Sequence, residues 1–97
     1  MKVRYSATAI TDVDEIATYI EARNPAAAQA VLAAIQGTVE RLALFPYSAQ
    51  ETDEPGVRMT PAGRFPYLIF YVVDGDELRV SRVLHGARLR PGEKPQG

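Results

Sequence analysis

Apolar positions along this chain change their period twice. Val3 and Tyr5 alternate with Lys2 and Arg4, which predicts a short strand running into the polar segment 6–8. Beyond it Val13, Ile16, Ala17 and Ile20 recur at helical spacing, with Asp12, Asp14, Glu15 and Glu21 mainly on the opposite face. Ser6, Thr8 and Thr11 are all suitable N-caps, and the pattern does not choose among them. Asn24-Pro25 is a stop followed by a start: Asn caps, and Pro at the first helical position loses no hydrogen bond because that N–H would be unpaired anyway. Ala28, Val31, Leu32, Ile35, Val39 and Leu42 then keep a three-four spacing until Phe45-Pro46, a second helix of about 18–20 residues. A link this short predicts two helices packed antiparallel.

The second half reads as strands. Residues 46–56 show neither period and form an acidic, turn-rich loop, the segment expected to be mobile. A short strand at 57–60 ends in the turn signature Pro61-Ala62-Gly63. Residues 65–73 are apolar on both faces, as a central strand covered above and below requires. Asp74-Gly75-Asp76 supplies a hairpin turn, and residues 78–85 its partner strand, with Leu78, Val80, Arg82 and Leu84 on one face and Arg79, Ser81, Val83 and His85 on the other. The fold class expected is α+β: an antiparallel sheet of about four strands, in chain order β-α-α-β-β-β, with an N-terminal helical hairpin on one face.

Composition narrows the chemistry. Ninety-seven residues suit one domain, expected over residues 1–90, with 91–97 as a flexible tail. No cysteine and a single histidine point away from disulfides, zinc and iron–sulfur sites, so neither metal nor cofactor is expected. The longest apolar run, 67–73, is far shorter than the ~20 residues that span a bilayer, and the start lacks a signal-peptide core; a cytoplasmic protein without membrane contact is expected. The net charge of -1 hides a division: residues 1–56 carry four basic and eight acidic side chains, residues 57–97 seven basic and four acidic.

Arg58, Arg64, Arg79, Arg82, Arg88 and Arg90 all lie in or beside the last three strands, where strand pairing would gather several guanidinium groups for bidentate recognition of phosphate or carboxylate. The alternative is a solvated face balanced by Asp74, Asp76, Glu77 and the acidic loop. His85 ends the last strand, three residues from Arg88, and is suited either to proton transfer or to a structural hydrogen bond. One histidine is not a mechanism: phosphodiester cleavage needs a base, an acid and charge stabilisation, and arginines readily supply only the last. Tyr67 and Tyr71 share a face of the central strand, as stacking residues or as core.

Several segments together resemble the RelE/ParE superfamily of toxins from type II toxin–antitoxin modules. They are Asp12-Val13-Asp14-Glu15-Ile16 with Tyr19-Ile20, Asn24-Pro25-Ala26-Ala27-Ala28, Leu42-Ala43-Leu44-Phe45-Pro46, Gly56-Val57-Arg58, Arg64-Phe65-Pro66-Tyr67-Leu68-Ile69-Phe70-Tyr71 and Arg82-Val83-Leu84-His85-Gly86-Ala87-Arg88. The resemblance spans residues 3–88 and is closer to the ParE-like branch. RelE-like members usually carry an arginine early in the central strand where this chain has Pro66-Tyr67, and an aromatic after the strand-end histidine where it has Gly86. It implies a toxin of a plasmid-stabilisation type of module, neutralised by a cognate antitoxin in a hetero-oligomer and inhibiting DNA gyrase without hydrolytic chemistry. The alternatives are a RelE-like mRNA endonuclease acting on the ribosome, or an inactive interaction module. For the nuclease, His85, Arg64 and Arg88 are the catalytic candidates. Arg58, Arg82 and Tyr71 are candidates for binding target or phosphate, and Arg58, Arg79 and Arg82 for meeting acidic residues of the antitoxin.

Overall fold

The computed structural model describes residues 1–88; Arg90 and the expected tail at 91–97 lie outside the described residues. Strand β1 (Lys2–Tyr5) leads into helices α1 (Ala7–Glu21) and α2 (Pro25–Leu44), followed by β2 (Gln50–Glu51), β3 (Val57–Pro61), β4 (Tyr67–Asp74), β5 (Glu77–His85) and a single 3₁₀ turn, Gly86–Arg88. The helices start where their caps dictate. Ser6 Oγ accepts from Ala9 N–H at 3.0 Å, and Asn24 Oδ1 from Ala27 N–H at 3.1 Å ahead of Pro25. Ala9, Val31, Ile35, Val39 and Leu42 from the helices meet Ile69, Tyr71, Leu78, Val80 and Val83 from one face of the sheet, and this is the core.

The class is α+β with two helices, but the sheet is mixed and has five strands, in the order β1-β5-β4-β3-β2. The expected fully antiparallel sheet of four strands is therefore corrected in two respects. The extra strand, Gln50–Glu51, pairs with Met59 and Arg58 inside the segment expected to be a loop; two residues cannot display a period. The other correction concerns β1, which pairs with β5 in parallel, Val3 opposite Leu78. Seven strands and helices run from β1 to β5, and when each connection turns the chain back, six reversals leave the last strand pointing along the first.

β5 also departs from simple alternation. Phe70 faces Arg82 and Tyr71 faces Val80, so Ser81 is an extra residue, a β-bulge whose Oγ donates to Phe70 O at 3.1 Å. The bulge moves Val83 onto the core face with Leu78 and Val80, and Arg82 off it, the reverse of the expected pattern for these two residues. At the hairpin Gly75 takes φ +63°, the left-handed conformation that the Asp74–Glu77 pairing demands. Among the described residues no helix is long and apolar enough to cross a membrane.

One charged side chain is buried where the sequence placed it on the solvent face. Asp12 is only 9% exposed. β1 ends at Tyr5, opposite Val80, and beyond that point the outward backbone of β5 has no strand beside it. Ser6 covers the first of the gap, its N–H donating to Val80 O at 2.9 Å and its hydroxyl to Ser81 O at 3.0 Å. Asp12 covers the rest: Oδ2 accepts from Val83 N–H at 2.9 Å and from Arg82 Nε at 2.8 Å, and Oδ1 from Arg82 Nη2 at 3.2 Å. The hydrogen bond to Asp12 holds the Arg82 guanidinium pKa above its ordinary value, against the opposing effect of burial. Asp12→Ala is expected to cost about 2–4 kcal/mol, below the full range for a broken buried pair because Arg82 can turn to water. Urea denaturation measures it, and a cost under about 1 kcal/mol would show that the tie contributes little.

Candidate functional site

The register decides which side chains share a surface, since paired residues face the same way. Arg58 lies opposite Tyr71, on the face the helices cover, whereas Arg79 pairs with Arg4 and with Val72, and Arg82 with Phe70, on the face away from the helices. The arginines of the second half are therefore not one cluster. Of the described ones, Arg58, Arg79 and Arg82 each have a carboxylate partner. Arg58 Nη2 meets Glu51 at 3.3 Å; Arg79 meets Asp74 at 3.2 Å and Glu77 at 3.6 Å; Arg82 is held by Asp12; Arg64 lies over the Phe65 ring, 5.3 Å from its centroid. For Arg88, the position at the end of the 3₁₀ turn is all that is described.

Arg58 and Tyr71 act together on one segment. Tyr71 has no exposed surface, and its hydroxyl donates to Pro46 O at 2.7 Å. Arg58 Nη1 donates to Tyr47 O at 3.2 Å and to Ala49 O at 2.8 Å, with its guanidinium 5.1 Å from the Tyr47 ring centroid. The stretch expected to be mobile is thereby tied down at three carbonyls. Burial raises the Tyr71 pKa, although the nearby Arg58 charge pulls the other way. Tyr5 is raised as well, by burial and then by Glu40.

His85 has different surroundings. Its ring meets Tyr67 edge-on, centroids 5.2 Å apart at 89°, and Nδ1 accepts from Ala87 N–H at 3.0 Å, so the neutral ring carries its proton on Nε2. Gly86 follows His85, its N–H donating to Pro66 O at 2.7 Å. His85 and Tyr67 line a cleft of about 560 Å³ together with Asp12, Glu15, Ile16 and Tyr19 of α1. None of Arg58, Arg64, Arg79 and Arg82 lines it. A second groove, about 570 Å³, runs between the helices and is largely apolar, walled by Ile10, Val13, Ala17, Leu32 and Ile35 with Tyr5.

The cleft beside His85 is suited to other partners than phosphate. Two carboxylates line it, one already paired to Arg82, and Glu15 forms no ion pair among the described residues. Among the described side chains, an anion entering there meets two carboxylates, and Arg58, Arg64, Arg79 and Arg82 lie outside its lining. Asp12, Glu15 and Tyr19 were not among the expected site residues. A signal for Asp12 existed, since it stands three residues after Ala9 and four before Ile16, on the helix stripe that those two help to define. Among the described residues no group of three His, Cys, Asp or Glu side chains is arranged to hold a metal ion.

Comparison with known proteins identifies the family. The family described as "ParE toxin of type II toxin-antitoxin system, parDE" matches residues 3–90. The chain belongs to the ParE toxin family. A relative in Sinorhizobium fredii, named "Putative toxin Y4kP", is 31% identical to this toxin over 90 residues, 93% of each chain. Among solved structures, one from the chromosomal ParDE TA system of P. aeruginosa superposes on the toxin with a TM-score of 0.77. That match covers 88% of this chain and 95% of the other at 23% identity, a likeness of fold.

Tyr71→Phe separates the hydroxyl of this ParE toxin from its ring. It strands the Pro46 carbonyl and is expected to destabilise by about 1–2 kcal/mol at neutral pH. Because the folded phenols of Tyr5 and Tyr71 are raised above the unfolded value of about 10, their contribution is complete below that pH and is lost as pH rises through the folded values. Stability followed from pH 8 to 11 should therefore fall at the alkaline end, and less steeply in the variant; parallel curves would rule the linkage out.

Proposed function

We propose that this toxin inhibits DNA gyrase by binding it, without cleaving RNA, and that a cognate antitoxin holds it inactive in the cytoplasm. The observation that carries the reading is the cleft beside His85. A nuclease of the RelE-like kind needs cations converging on a phosphate next to a base and an acid. Here the only histidine overlooks Asp12 and Glu15, none of Arg58, Arg64, Arg79 and Arg82 lines the cleft, and Arg58, Arg79 and Arg82 each meet a carboxylate. Pro66-Tyr67 in place of an early central-strand arginine supports the same branch.

For the antitoxin, the apolar groove between α1 and α2 suits one face of an amphipathic segment. Of the three arginines expected to meet its acidic residues, Arg79 keeps a side chain 40% exposed and stands beside Arg4 on the open sheet face, the pair best placed for that contact. Arg58 and Arg82 contribute by shaping the toxin.

The experiment is gyrase supercoiling with purified toxin. Inhibition is expected, reversed by stoichiometric antitoxin, with transcripts intact in arrested cells. His85→Ala should keep inhibition within about threefold of the parent, since no chemistry passes through the ring. Cut transcripts with unaffected supercoiling would replace this reading by the endonuclease, and normal growth on induction by an inactive interaction module.

A further inference from the structure

At the corner where α2 gives way to β2, three large apolar side chains stand in the open within four residues: Leu44 is 74% exposed, Phe45 62% and Tyr47 66%. Scattered surface apolar residues need no explanation, but contiguous ones on a small protein mark an interaction surface. The scaffold behind them makes the case stronger. A fully buried tyrosine hydroxyl holds Pro46 O, and a largely buried guanidinium holds Tyr47 O and Ala49 O. Ser48 closes the turn, its N–H and hydroxyl both donating to Phe45 O, at 3.1 and 2.7 Å. The corner is thus a fixed turn, stapled from the inside at three carbonyls, with its aromatic rings directed outward. The backbone that carries these side chains is ordered before a partner arrives, which lowers the cost of binding through them.

The neighbouring charge says what kind of surface fits. Tyr47 also walls a cleft of about 390 Å³ whose other side is the acidic segment Glu51, Asp53 and Glu54. Glu51 keeps 79% of its side chain exposed even while it touches Arg58. An aromatic knob flanked by carboxylates matches an apolar hollow with basic residues on its rim.

We propose that this corner is the docking surface for the toxin's topoisomerase target, with Leu44, Phe45 and Tyr47 entering an apolar hollow that lysine or arginine side chains border. The inference rests on the gyrase reading. It gives Tyr71 and Arg58 a role as positioning residues: they touch no target and hold the knob in its binding geometry. It also divides the surface, leaving the helix groove and the open sheet face to the antitoxin.

The test uses full-length toxin with Phe45→Ser and Tyr47→Ser together, both exposed positions. Gyrase inhibition should weaken about tenfold or more, while antitoxin affinity stays within about twofold and the melting temperature is preserved. Glu51→Lys with Asp53→Lys should weaken inhibition and flatten its salt dependence. Tyr71→Phe, which alters no exposed ring, should produce a smaller loss, rescued when the target concentration is raised. Full inhibition by the double serine variant overturns the proposal. So does a parallel fall in antitoxin affinity, which would make the corner the antitoxin's seat, or loss of a self-associated species in sedimentation, which would make it a contact between two copies. A wild-type toxin that leaves gyrase untouched removes the gyrase reading itself and this inference with it.

Discussion

The carboxylate of Asp12 joins the helical layer to the sheet at the place where the sheet's own hydrogen bonding stops. Strand β1 covers β5 only as far as Val80, and a backbone N–H left bare at Val83 would be an unpaid cost in a buried position. A helix residue supplies the missing acceptor, and the same carboxylate fixes the guanidinium of Arg82 on the far side of the bulge. Ser6 does related work one step earlier, capping α1 while closing onto Val80 and Ser81. These two residues anchor α1 to β5, and Asp12 also lines the cleft beside His85.

A basic sheet half need not be a basic surface. Two guanidinium groups of this toxin serve as internal fasteners, Arg82 between layers and Arg58 beneath a turn, while Arg79 spans a hairpin at the surface. Planar forks with several donors are well suited to that work, since one side chain can satisfy carbonyls or a carboxylate from two directions. The enrichment of arginine over lysine in this half, read from sequence as a sign of anion recognition, has this second cause. It explains why segment charge alone does not separate a phosphate-handling toxin from one that acts by contact.

Much of the fold was legible because long periodic segments carry their own signal. Asn24-Pro25 placed the start of α2, the doubly apolar stretch around Ile69 and Phe70 placed the middle strand, and Asp74-Gly75 placed the last hairpin. The misses share a physical origin: they depend on distant partners. Gln50–Glu51 becomes a strand only because β3 lies beside it. Ser81 becomes a bulge only because Phe70 offers its carbonyl, and the shift of one residue moves Arg82 and Val83 to faces opposite to those expected. The direction of β1 was within reach, by counting reversals. The site was less legible than the fold, since Tyr71, Arg58 and His85 were chosen by residue type, and which atoms they touch is a tertiary fact.

The parallel seam between β1 and β5 ties together strands far apart in the chain, with Val3 beside Leu78 and Ser6 bonded to Ser81. Contacts this distant in sequence close late, because the intervening chain must already be compact before they form. On the ribosome the consequence is definite. A nascent chain that has not yet released β5 has an open core and an α1 without its anchor. Synthesis that stops before β5 therefore yields a fragment without the assembled surfaces.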